Sequence, residues 1–211
     1  MVPDDPRTEP AERRRRAVAA GHRGDEAGAR AALTDPDPAV RAAGLGALGR
    51  MGALGPPELL AALADPAEVV RRRAAEVSAG TGWPGGRPPA VVRTALRGAL
   101  ADDEPLVAEA ACWALGETAD RAAVGLLASV ATGHPDTRCR EAAVAALGAI
   151  GDPAGLPAVL AALGDKPTVR RRATVALAAF EGPEAESGLR RSLADRDWQV
   201  RQVAEILLDE A

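Results

Sequence analysis

Apolar residues recur along this chain with a helical period. Six positions, Val40, Val70, Val107, Cys139, Val169 and Val200, stand 30 to 37 residues apart. Four residues after each comes Gly44, Ala74, Ala111, Ala143, Ala173 or Ala204, and eight after comes Leu48, Ser78, Leu115, Leu147, Leu177 or Leu208. Positions i, i+4 and i+8 share one helical face, so every anchor predicts an amphipathic helix. The six segments run Asp37 to Gly49, Asp65 to Ala79, Asp102 to Gly116, Asp136 to Gly148, Asp165 to Ala178 and Asp195 to Asp209, each opened by an aspartate.

A second, shorter apolar segment separates them: Ala27 to Leu33, Glu58 to Leu63, Val91 to Leu100, Ala122 to Val130, Leu156 to Leu163 and Ala185 to Leu193. Prolines such as Pro56, Pro57, Pro153 and Pro183 stand where these first helices begin, and Asp35, Asp65, Asp102, Asp165 and Asp195 follow their last leucines by two residues. The pattern predicts helix, turn, helix, turn, and a period near 31 residues predicts stacked repeats. Residues 11–211 are expected to form a single repeat domain with an N-terminal cap helix, and residues 1–10 to be disordered.

Composition narrows this to small-residue packing. Aromatic residues make up 2% of the chain, with one Phe and no Tyr, so burial must come from Ala, Leu and Val spread along a stack in which each repeat leans on its neighbours.

The phrases Val40-Arg41-Ala42-Ala43 and Ala143-Val144-Ala145-Ala146-Leu147-Gly148 resemble HEAT-like repeats of the short bacterial kind found in phycobilisome lyase-type proteins. The resemblance covers roughly residues 24–211. It implies an all-α, right-handed α-solenoid of about six two-helix repeats, with first helices convex and second helices concave, and a role in binding other proteins. Two departures stand out: Ala108 replaces the Arg that follows the other anchors, and Thr81 to Pro89 lengthens one connection.

Arg41, Arg71, Arg140, Arg170 and Arg201 lie in first helical turns, where the macrodipole disfavours a cation. Each therefore needs a carboxylate. A helix-opening Asp that caps its own helix and meets an Arg of the same or adjacent repeat would form a structural ladder along the stack. The run Arg13 to Arg16 reads as the solvated face of the cap helix.

Functional residues are sought where the repeats differ. Trp113 lies six residues after its anchor, a position that with +2 turns toward the concave surface. The +2 set holds Arg72, Glu109, Glu141 and Arg171, and Glu76 shares the +6 position. An aromatic ringed by charge has the composition of a binding hot spot; alternatively, Trp113 packs into the repeat interface. Trp83 and Arg87 lie in the inserted loop, either as a second contact or, for Trp83, as a pin holding the loop to the stack. Trp198 is expected to cap or pack the last repeat.

Other chemistries find little support. Nucleic-acid binding is known for HEAT-like DNA glycosylases, but net charge is -4, glutamates interleave with the arginines, and stacking aromatics are scarce. HEAT-like metal hydroxylases use repeated His-Glu pairs; here His22 and His134 stand alone, so no metal site and no cofactor are predicted. Cys112 and Cys139 read as buried thiols. Bilin-lyase activity, with Glu109 and Glu141 assisting proton transfer, is an alternative implied by the resemblance alone. No catalytic residue is assigned. The polar N-terminus, the lack of a long apolar run and the isolated cysteines predict a cytoplasmic, monomeric protein that grips an unidentified partner protein and no membrane.

Overall fold

Every predicted helix is present in the computed structural model, which describes residues 9–80 and 82–209, and no strand occurs among those residues. Residues 1–8 of the segment expected to be disordered lie outside the described chain; Pro10 opens the first helix. Contacts divide the chain into two compact units, one ending at Ala99 and the other beginning at Leu100.

The first unit comprises α1 (Pro10–Arg23), α2 (Glu26–Ala31), α3 (Pro38–Met51), α4 (Pro56–Leu63), α5 (Glu68–Gly80) and α6 (Ala90–Gly98). The second comprises α7 (Pro105–Glu117), α8 (Val124–Gly133), α9 (Thr137–Ile150), α10 (Leu156–Ala162), α11 (Pro167–Ala176), α12 (Pro183–Ser192) and α13 (Trp198–Asp209). Proline opens α3, α7 and α11, where its missing N–H costs nothing. Asp37 caps α3 by accepting from the N–H groups of Ala39 (2.8 Å) and Val40 (3.3 Å).

The predicted face is the core. All six anchors are at most 2% exposed. The structure adds a buried position five residues after the anchor, occupied by Leu45, Ala75, Cys112, Val144 and Thr174. In the last helix the equivalent residue is Glu205, which is exposed, as is Asp209 where internal repeats carry Gly or Ala.

Glycine sets how closely second helices approach. A Cβ on Gly116 would lie 2.9 Å from Ala146 Cα, and one on Gly148 would lie 3.0 Å from Ala176 Cα. At the other end of α9, the Cys139 thiol donates to the Pro105 carbonyl (3.1 Å). The two contacts show that α7 and α9 run parallel, with anchor+9 of one beside anchor+7 of the next.

The arginine ladder exists and joins adjacent repeats through the expected Asp65, Asp165 and Asp195; only in the first repeat is the acceptor Asp35 and not Asp37. Arg41 donates through Nε and Nη2 to Asp65 (2.9 and 2.7 Å), Arg140 to Asp165 (2.6 and 2.9 Å), and Arg170 to Asp195 (2.8 and 2.9 Å). Each Arg reaches the next repeat, while its Nη1 donates to a carbonyl of its own turn, as Arg41 does to Asp35 (2.9 Å). The ladder carboxylates also accept a nearby backbone N–H, Asp35 from Asp37 (2.8 Å), Asp195 from Asp197 (2.7 Å) and Asp165 from Lys166 (2.6 Å). In the first repeat, capping and ladder therefore fall to two residues, Asp37 and Asp35. Arg13 is a further correction. It is 6% exposed and donates to Asp35 (2.7 and 3.0 Å), so it is the first rung and not a solvated face.

One rung is absent on both sides. Ala108 stands where the Arg should be, and His134 stands at the matching acceptor position. His134 Nδ1 accepts from the Asp136 N–H (3.1 Å) and so keeps the turn, while Asp136 takes the capping bond from the Arg138 N–H (2.8 Å). The imidazole performs the carboxylate's local task without its ionic one.

Hydrogen bonds from Arg13, Arg140 and Arg170 hold the carboxyls of Asp35, Asp165 and Asp195 below their ordinary 3.8. A carboxyl with a depressed folded pKa contributes stability that is complete above the unfolded value and lost as pH falls through the folded one. Urea midpoints should therefore drop as pH falls below about 4, and an Asp35→Asn, Asp165→Asn, Asp195→Asn variant should show a shallower dependence, the remainder belonging to Asp65, Glu58, Asp136 and Asp197, whose carboxyls are also lowered. An unchanged slope in the variant would show that the ladder does not couple to acid unfolding.

Candidate interaction surface

The second helices of the second unit carry an exposed face that the packing leaves uncovered. Along α7 it presents Glu109, Trp113 and Glu117 at i, i+4 and i+8, one above another. Trp113 is 47% exposed. The helical phase sends it outward because Cys112 and Ala114 on either side are both fully buried. That settles the choice left open by the sequence in favour of a surface tryptophan.

The glycine register places the next helix. Gly116 faces Ala146, so Trp113 stands level with Ala143, flanked on the exposed side of α9 by Glu141 and Ala145. The equivalent positions of α11 and α13 hold Val175 and Ile206, 47% and 49% exposed. An aromatic residue, a small gap at Ala145 and two aliphatic residues thus form one apolar row, and Glu109 and Glu117 stand one turn to either side of Trp113 along α7.

The cations on this face are engaged by acids. Arg171 pairs with Asp197 (2.7 Å), Arg172 approaches Glu141 at 3.6 Å, and Arg138 is held by Asp136 at 2.9 Å while also lying near Glu109. In the first unit, Arg72 and Arg73 both turn to Glu76 (3.4 and 2.8 Å) on α5. The pairings of Arg171 with Asp197 and of Arg172 with Glu141 join adjacent repeats and are not visible from spacing within one helix. Arginines neutralised in this way make a poor track for phosphates.

Trp83 is half-buried, and its indole N–H donates to the Ser78 carbonyl (2.9 Å), satisfying a helix-end acceptor of α5. Arg87 is exposed beside it. Trp198, expected to cap or pack the last repeat, is the most exposed large apolar residue among the described residues, at 61%. It occupies the first position of α13, where the other second helices of the unit place Pro105, Thr137 and Pro167.

The two cysteines are free and buried. Burial pushes the Cys112 thiol up to about 12 and the Cys139 thiol up to about 11, with the carboxylate of Glu109 adding to both. A thiol so raised forms almost no thiolate at neutral pH. Native protein should react with a disulfide reagent far more slowly than free cysteine, and denatured protein should titrate two thiols at once. Rapid modification of either thiol in the folded state would contradict the buried placement. Among the described residues no cluster of His, Cys, Asp and Glu could hold a metal ion, and no helix is long and apolar enough to cross a membrane.

Residues 92–178 match the family model described as HEAT repeats. No curated protein matches the chain. Among solved structures, YibA of Escherichia coli is similar at 17% identity over 90% of this chain and 72% of that one, with a TM-score of 0.65. The CpcE–CpcF complex of phycocyanin lyase from Nostoc sp. PCC7120 is similar at 26% identity over 85% and 74%, with a TM-score of 0.61. A designed armadillo repeat protein in complex with the peptide (KR)4 aligns at 17% identity over 86% and 97%, with a TM-score of 0.63.

Proposed function

Because the chain is a HEAT-like repeat protein, we propose that it is a non-enzymatic scaffold or adaptor that holds a partner protein against its second-helix surface. The observation that carries this reading is the row Trp113, Ala145, Val175 and Ile206, whose three large members are each about half exposed. A soluble monomer gains nothing by aligning large apolar side chains in water, and such rows bordered by charge mark docking sites. Glu109, Glu141 and Arg171 form the polar rim. Arg72 and Glu76, with Trp83 and Arg87 of the loop, are the contacts assigned to the first unit. Two free thiols suit a reducing cytoplasm.

The test is affinity capture from the native host with three baits: wild type, a Trp113→Ala, Val175→Ser variant, and Leu126→Ser, which alters an equally exposed residue on α8. The partner should be recovered by wild type and Leu126→Ser and lost by the double variant. Equal recovery by all three would rule out this face.

The likeness to phycocyanin lyase supports a second reading, in which the same face holds a bilin while it is joined to a client cysteine. Incubation with phycocyanobilin and a cysteine-bearing client separates the two. Pigment attachment that depends on the protein would replace the scaffold reading.

A further inference from the structure

Trp113 differs from the rest of its row in what surrounds it. Glu109 and Glu117 lie one turn below and above it on α7, and Glu141 stands beside it on α9. Cβ atoms four apart on a helix are about 5–6 Å from each other, so Glu109 and Glu117 flank the exposed indole along α7. Arg138 is held by Asp136 at 2.9 Å, and Arg172 lies 3.6 Å from Glu141, so Glu141 is partly neutralised and Glu109 and Glu117 are the main carboxylates offered to a partner. Glu117 is the last residue of α7, and its i+4 residue Arg121 lies beyond the helix end.

An indole face attracts a cation through its quadrupole, and a guanidinium lying flat on it directs its N–H groups outward to ring carboxylates. From the uneven charge along the row we infer that the partner docks through a segment carrying an arginine, stacked on Trp113 among Glu109, Glu117 and Glu141. An aliphatic residue of the same segment would rest on Val175. This rests on the second-helix reading above and names the chemistry of its partner.

The spacing follows from the helices. Second helices pack about 8–10 Å apart, and α7 and α11 are separated by α9, so Trp113 and Val175 lie roughly 18 Å from one another across the face. Extended chain rises about 3.3 Å per residue, with side chains returning to the same side every second residue. An arginine and an aliphatic residue six positions apart therefore fit, with a small residue over Ala145 between them. A helical segment would need about twelve residues for the same reach.

The test uses two labelled serine decapeptides, one with Arg at position 2 and Leu at position 8 and one with Glu at position 2 and Leu at position 8, with fluorescence anisotropy on the full chain. The arginine peptide should bind at least about tenfold more tightly than the glutamate peptide. It should lose about tenfold in affinity on Trp113→Ala and, separately, on Glu109→Gln with Glu117→Gln. The glutamine variant keeps the side-chain volumes at exposed positions and so preserves folding. If both peptides bind alike and both are weakened by Trp113→Ala and Val175→Ser, the arginine site is wrong and the docking face stands. If neither peptide responds to any of these variants, both readings fall.

Discussion

Replacing Asp195 with alanine is expected to destabilise the last repeat by about 3 kcal/mol. The reason lies in what the change strands. The Arg170 and Asp195 side chains are 6% and 14% exposed, and two hydrogen bonds of 2.8 and 2.9 Å join them. Without the carboxylate the guanidinium keeps only the Asp165 carbonyl (3.0 Å), and the Asp197 N–H loses its acceptor as well. A charge left unpaired in that position costs more than the pair contributed. The loss should appear as fraying of α13, because a repeat is held mainly by its neighbour. Amide exchange in α13 should accelerate by about a hundredfold, while α7 changes little. An Arg170→Met, Asp195→Ala double variant should recover most of the loss. If the double variant is as unstable as Asp195→Ala alone, the cost is not that of a stranded charge.

The second large effect is expected at Gly148. A Cβ there would stand 2.8 Å from the Cβ and 3.0 Å from the Cα of Ala176, and neither atom can turn aside as a flexible side chain would. Alanine would push α9 and α11 apart despite its better helix propensity, and valine should cost about 3 kcal/mol through overpacking. Gly125 supplies the contrast, since it is helical and a Cβ would meet nothing within 4 Å. Gly125→Ala should be neutral or stabilise by about 0.5 kcal/mol. Thermal melts of the two variants decide the matter. Similar melting temperatures for Gly148→Val and wild type would show that the helices do not need the close approach.

The residues that were legible in the sequence are those whose role depends on one helix. Val107, Ala111 and Leu115 announce a buried face because 3.6 residues make a turn, and the same phase sends Trp113 outward. What depends on two repeats was only half visible. The ladder was foreseen, yet its aspartate was misplaced by two residues in the first repeat, because Asp35 and Asp37 both look like helix openers. Matching on Asp136 hid His134, so the loss of Arg at Ala108 looked like an isolated departure until the acceptor's replacement was seen opposite it. Arg13 was read as solvated because the run Arg13 to Arg16 is uniform in charge, whereas the helix buries only one of the four. The neighbours of Trp113 depend on a stagger set by Gly116 and Ala146, which no single-helix pattern contains.

The ladder also dictates how such a chain can lengthen or shorten. Where a rung is made, a repeat offers a carboxylate to the repeat before it and a guanidinium to the one after, so rungs join like directional couplings. A tandem copy of residues 165–194 would couple to itself and to its surroundings, since Asp165 accepts from Arg140 and Arg170 would find either a second Asp165 or Asp195. A copy of residues 134–164 would not, because Arg140 would face a second His134. The alanine and histidine of the missing rung thus form a private joint that admits only one order of repeats, while the rungs after it leave copy number free to change.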